Sequence, residues 1–111
     1  MGFDDELARR VRELLADTPA LTEKKMFGGL AFLVDRYMAL AISGQGGLMV
    51  RVDTDASQEL VDTTAARFAE MRGRQMQGWL RLDSEALQTD SELANWVNRG
   101  VKFAQALPPK T

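Results

Sequence analysis

The sequence predicts a two-layer α+β fold in which an antiparallel sheet of about five strands is packed by helices. Three observations carry this. Apolar residues recur at helical spacing near both ends of the chain. Between Thr22 and Val52 the spacing becomes strand-like, in short runs broken by glycines and polar pairs. Those breaks are too short for the crossover that parallel strands require, so neighbours must be antiparallel.

In chain order, Asp4 to Ala16 reads as an amphipathic helix. Leu7, Val11, Leu14 and Leu15 form its apolar face, with Ala8 at the edge. Asp4, Asp5 and Glu6 favour its N-terminus through the helix dipole, and Asp17-Thr18-Pro19 ends it. Thr22–Phe27 is a first strand, and Gly28-Gly29 breaks it as a bulge or turn. Leu30–Val34 is a continuous apolar run suited to a central strand. Asp35-Arg36 is a two-residue turn, and Tyr37–Ile42 is the third strand. A type I′ turn would put Arg36 at positive φ, which is strained, so a looser turn is expected. Ser43 to Gly47 is a hairpin loop, and Leu48–Val52 is the fourth strand. Asp53–Ala69 reads as helix, broken near Asp62-Thr63-Thr64. Met71–Gly78 reads as irregular, and Trp79–Leu82 as a short fifth strand. Thr89 and Glu92 form a capping box for a last helix, whose stripe runs Leu93, Trp96, Val97, Val101, Ala104, Leu107 before Pro108-Pro109. The predicted order is α-β-β-β-β-α-β-α, in one domain over residues 1–111.

Hydrophobic residues are 45% and charged residues 27% of the 111, enough apolar mass for one core of single-domain size. Cysteine and histidine are absent. That removes disulfides, thiol nucleophiles, Ser-His and Cys-His dyads and zinc-finger ligand sets. No cofactor or metal is expected, and an enzyme is not. Asp35, Asp53, Asp55 and Glu59 could serve acid–base or metal chemistry, but their spacing fits no EF-hand loop, and helix capping explains Asp53 and Asp55 more simply. Fourteen basic against sixteen acidic residues give a net charge of -2, so nucleic-acid binding would need a local basic patch. The longest apolar stretch is too short to span a bilayer, and the acidic N-terminus lacks a secretory signal's basic region. A cytoplasmic location without membrane attachment is expected.

Lys25-Met26-Phe27-Gly28-Gly29 resembles the opening motif of the N-terminal domain of the TfoX/Sxy competence-regulator family. Phe32 through Met38 is similar to that family's second hairpin and Leu48 through Val52 to its following strand. Gly78-Trp79 and Trp96-Val97 match its late aromatic positions. The resemblance covers about residues 5–107. It implies a domain name and a fold, helices against an antiparallel sheet, more than a known biochemical activity. The longer regulators carry a second, C-terminal domain, which this chain is expected to lack because it runs out at Pro108-Pro109-Lys110-Thr111. Arg36 stands where family members often have glycine.

The residues most suited to contact are Lys24, Lys25, Arg51, Arg72, Arg74 and Trp79, with Arg67 and Arg81 nearby in sequence. Arginine with tryptophan suits both protein hot spots and single-stranded nucleic acid, and also a solvated loop beside a tryptophan half buried over the last helix. Most methionines are expected to fill the core, with Met49 the one placed for exposure. Lys24 to Gly29 lacks the spacing of a phosphate-binding loop. The reading is a non-enzymatic binding or regulatory module acting through protein contacts. A nucleic-acid-associated regulator is the alternative, and a small-molecule enzyme a distant third. A homodimer would cover the sheet's edges.

Overall fold

The computed structural model describes residues 4–26, 28–44, 46–71 and 73–108. Helix α1 (Asp5–Leu14) begins at Asp4, whose carboxylate accepts from the N–H groups of Glu6 and Leu7 at 3.0 and 3.1 Å. Its buried arc is Leu7, Ala8, Val11 and Leu15. Leu14, expected on that face, is 40% exposed, because the arc centres on Val11 and Leu14 falls at its flank on the last turn.

Four strands follow: β1 (Leu21–Met26), β2 (Gly29–Val34), β3 (Tyr37–Ile42) and β4 (Leu48–Arg51). The two-residue turn Asp35-Arg36 joins β2 to β3, pairing Val34 with Tyr37. Both turn residues have positive φ, 52° and 72°. The looser turn expected there is therefore corrected. Two-residue hairpins select this geometry because its twist matches the strands, and the Asp35 N–H is held by the Ala20 carbonyl at 3.1 Å.

Helix α2 (Thr54–Thr63) is capped by Asp53 and ends ten residues in. Thr63 and Thr64 turn their hydroxyls back on the carbonyls of Glu59 and Leu60, competing with helix continuation. The chain then forms a hairpin, β5 (Arg67–Met71) and β6 (Arg74–Leu82). This corrects the expected helix to Ala69 and irregular stretch before Trp79. Gly78 has φ +84°, and its carbonyl accepts from the Val52 N–H at 2.8 Å. It bends β6 rather than ending it.

The sheet has six strands in the order β1-β2-β3-β4-β6-β5, every pair antiparallel. Strands β4 and β5 are thus parallel to each other with β6 between them, and α2 carries the chain across. A 3₁₀ turn (Ser84–Leu87) leads into α3 (Asp90–Ala106), whose cap Thr89 accepts from the Glu92 N–H at 3.1 Å.

Phe32, Leu40, Ile42, Leu48, Val50, Leu80 and Leu82 face the helices. They meet the α1 arc and Leu93, Val97, Val101 and Ala104 of α3. At Gly100 the contact is backbone to backbone. A Cβ there would lie 2.5 Å from the Ala39 carbonyl oxygen and 3.2 Å from a Val50 methyl. Arg12 ties α1 to β1 through two hydrogen bonds to the Glu23 carboxylate, at 3.0 and 2.8 Å.

Two predictions follow from this packing. Gly100→Ala removes the flexibility of glycine, which alone would stabilise a helix by about 1 kcal/mol. Here urea unfolding should show a loss of about 1–3 kcal/mol, because α3 must lift from the sheet. The second concerns Glu23, whose carboxyl the Arg12 hydrogen bonds hold below the ordinary glutamate range. The folded state prefers the ionised form, so this pair contributes above the unfolded glutamate value and is lost as pH falls through the folded one. Glu23→Gln should cost less than about 1 kcal/mol at pH 7. Its stability curve should converge on the wild type in acid.

Candidate functional site

Helices α1 and α3 cover one face of the sheet, and register fixes which side chains stand on the other. Directly opposed residues in a ladder share a face. Lys24 opposes Ala31, Ala31 opposes Ala41, and Leu33 opposes Met38. Met49 opposes Arg81, and Arg51 opposes Trp79. These residues alternate with the buried Leu30, Phe32, Val50 and Leu80, so they form the open face.

Two irregularities add residues to it. Simple alternation places Met38 with Leu40 and Ile42, in the core. Between Phe32 and Leu33 the register shifts, leaving Ala39 as the extra residue and turning Met38 to the open face. Alternation likewise places Met76 with Leu80 and Leu82. Met76 instead lines the same depression as Trp79, on the far side of the Gly78 bend.

The result is a trough of about 570 Å³ on the open face. Its apolar walls are Met26, Met38, Met49, Met76, Trp79, Ala31 and Ala41, with Gly28 and Gly29 at the β1–β2 turn. Glu70 and Arg81 are its charged lining residues. A second depression of about 450 Å³ adjoins it, sharing Met49, Glu70 and Arg81 and extending past Arg67 and Gln75 on β5 and β6 to Val61 of α2. The four methionines are half-buried, and none belongs to the core cluster. The expectation that most methionines fill the core is corrected for Met26, Met38 and Met76, while Met49 stands on the open face as expected. Unbranched thioether chains suit a surface that adapts to what it contacts.

Gly29 cannot be enlarged without moving this wall, because a Cβ there would lie 2.3 Å from the Ile42 carbonyl oxygen. Gly47, on the loop after β3, sits as close to the Leu82 carbonyl, at 2.4 Å.

The residues singled out from sequence are dispersed around this face. Trp79 is half-buried and lines the trough. Its face is the one opposite Leu80, and its link to the last helix is indirect. Arg51, at the end of β4, has its guanidinium carbon 6.0 Å from the Trp79 ring centroid and 5.2 Å from that of Phe103 on α3. These distances are within cation–π range. Phe103 could have been found only through tertiary contact, because nothing in its helical spacing sets it apart. Lys24 stands on the open face of edge strand β1, and Lys25 on the opposite side of that strand. Arg74 begins β6, opposite Met71. Arg72 lies outside the described residues, as do Phe27 and Gln45. Arg67 and Arg81 share Asp83, with Arg67 at 2.7 Å, and Arg81 also donates to the Gly46 carbonyl at 2.5 Å. Among the described residues, Lys24, Lys25, Arg51 and Arg74 have no carboxylate partner. Asp53, weighed as an acid–base candidate, is the cap of α2.

Charge is unevenly divided between strands and helices. The strands carry six basic residues (Lys24, Lys25, Arg51, Arg67, Arg74, Arg81) and two acidic ones (Glu23, Glu70). The three helices carry eight acidic residues (Asp5, Glu6, Glu13, Asp55, Glu59, Asp62, Asp90, Glu92) and five basic ones (Arg9, Arg10, Arg12, Arg99, Lys102), with α1 and α3 each balanced and the acidic excess on α2. The net charge of -2 therefore conceals a basic sheet.

The family model of the TfoX N-terminal domain matches residues 13–104. This chain belongs to the TfoX N-terminal domain family. No curated protein matches it. The match spans from the last turns of α1 to the end of α3 and so takes in the whole sheet of this TfoX N-terminal domain. The motif residues Met26, Gly28, Gly29, Met38 and Trp79 converge on the trough.

Face assignment predicts opposite outcomes at neighbouring positions. Val50→Lys should prevent folding, because an unpaired buried charge costs several kcal/mol. Met49→Lys should leave a folded protein with native circular dichroism and a cooperative urea transition, because its side chain points to the open face.

Proposed function

We propose that this TfoX N-terminal domain is a non-enzymatic, cytoplasmic protein-binding module whose contact surface is the open face of the sheet. The observation that carries it is the methionine trough beside Trp79, an apolar depression on the sheet face opposite α1 and α3. Apolar area of this kind, rimmed by charge, is characteristic of interaction sites. A tryptophan and an arginine at its edge are the residue types that dominate interface energetics. The sequence supplies no histidine or cysteine to act as nucleophile or neutral-pH base. Among the described residues, no helix is long and apolar enough to cross a membrane.

A second reading, nucleic-acid association, is favoured by the basic bias of the strands and the stacking of Arg51 on Trp79. It predicts affinity that falls steeply with salt. A homodimer would cover a free edge strand. The outer edge of β1, however, carries Glu23-Lys24-Lys25, and charge of this kind discourages edge pairing. If pairing occurs, β5 is the favoured edge. Light scattering should then give twice the 12.3 kDa chain mass.

The test of the leading reading uses the immobilised domain and extract from its native cell. Proteins retained by the wild type should be lost with Met49→Lys and with Trp79→Ala. They should persist with Leu14→Ala, a change on the far layer. Retention by both open-face variants would remove this surface from the function.

A further inference from the structure

We propose that the segment bound on the open face is acidic: an apolar side chain seated in the methionine trough, and a neighbouring Asp or Glu carboxylate held by Arg51. This rests on the protein-binding reading above and adds the chemistry of the partner.

Arg51 carries the inference. Its guanidinium sits 6.0 Å from the Trp79 ring centroid and 5.2 Å from Phe103. Rings beside the guanidinium of this half-buried arginine restrict its orientation while leaving its N–H edge free to donate. Among the described residues no carboxylate takes those donors, whereas Arg67 and Arg81 share Asp83. An arginine oriented by aromatic contact and left without an anion is a prepared receptor for one. The planar fork matches a carboxylate with two parallel hydrogen bonds.

Trp79 makes the two subsites continuous, since it both lines the trough and flanks Arg51. An apolar residue and an acidic one close together on the same segment would engage both. Lys24, on the same face at the β1 edge, extends the positive field to the other side of the trough. The partner's charge thus complements the strands, which carry six basic residues against two acidic ones. Single-stranded nucleic acid would also find a guanidinium and a ring here. Beyond Trp79, however, the trough is walled by methionines and alanines, which fit protein side chains and offer no second stacking platform for bases.

The test is selection from a random peptide library on the immobilised full chain, with fluorescent oligo(dT) titrated in parallel. Enriched peptides should combine Asp or Glu with Leu, Phe or Met. A synthetic copy of the leading peptide should shift the backbone NMR signals of Met49, Arg51 and Trp79. Arg51→Gln should weaken that peptide about tenfold, the scale of one charge-assisted contact. Replacing the peptide's acids by Asn or Gln should cause the same loss in wild type and little further loss in Arg51→Gln. The peptide-side change reads the same contact in unaltered protein, should Arg51→Gln fail to fold. Peptides that shift these signals without acidic enrichment would overturn acid recognition and leave the protein-binding reading standing. Shifts at none of the three would overturn both. Oligo(dT) binding tighter than every selected peptide, and steeply salt-dependent, would overturn both in favour of nucleic acid.

Discussion

Gly100 allows α3 to lie directly against the Ala39 carbonyl, and the two-layer arrangement is organised around that approach. With no side chain between helix and sheet, Leu93, Val97, Val101 and Ala104 reach down beside Leu40, Val50 and Ile42 and close the core. The helix layer is then committed to one face. The opposite face carries the trough, with the sheet's antiparallel registers deciding which residues it shows. The site follows from this one-sidedness. A sheet covered by helices on both faces would have buried Met38, Met49 and Trp79.

The strands hold the chain's basic excess. Helix surfaces are long and solvated, and they carry acids at their N-termini, where the helix dipole favours them. Asp4 and Asp53 add capping carboxylates for the same reason. The strands hold most of their charge as arginine and lysine, whose aliphatic stems can lie along an apolar face while the head groups reach water. A chain with a net charge of -2 thus presents a basic face around an apolar centre. Arg67 and Arg81 are tied to Asp83 and help hold the end of β6. Arg51 is held by rings instead of acids, so its donors remain available.

Much of the framework was legible in the residues. Periodicity located α1 and α3, and the capping pair Thr89 and Glu92 placed the start of α3. Alternation and short turns located β1 to β4 and required them to be antiparallel. The β5–β6 hairpin was not legible, because Arg74, Gln75 and Gln77 show no apolar alternation and Gly78 interrupts the run. Pairing with β5 holds Arg74 and Gln75 extended, and pairing with β4 holds Trp79 to Leu82. Trp79, Arg51 and the two lysines could be singled out from composition. Phe103 could not, because it matters only where the end of β4 meets α3.

The sequence by itself determined the α+β class, the family, the exclusion of thiol and imidazole chemistry, and the residue types left for contact. These depend on composition and on local spacing, which every residue carries with it. The tertiary structure alone decided which side chains meet. Met38 and Met76 fall in step with core residues by counting, and each is turned outward by an irregularity in its strand, at Ala39 and at Gly78. A strand's alternation holds only while its pairing is regular, and one extra residue reverses the face of everything beyond it. The trough exists because two strands break step, and that depends on neighbours distant in the chain.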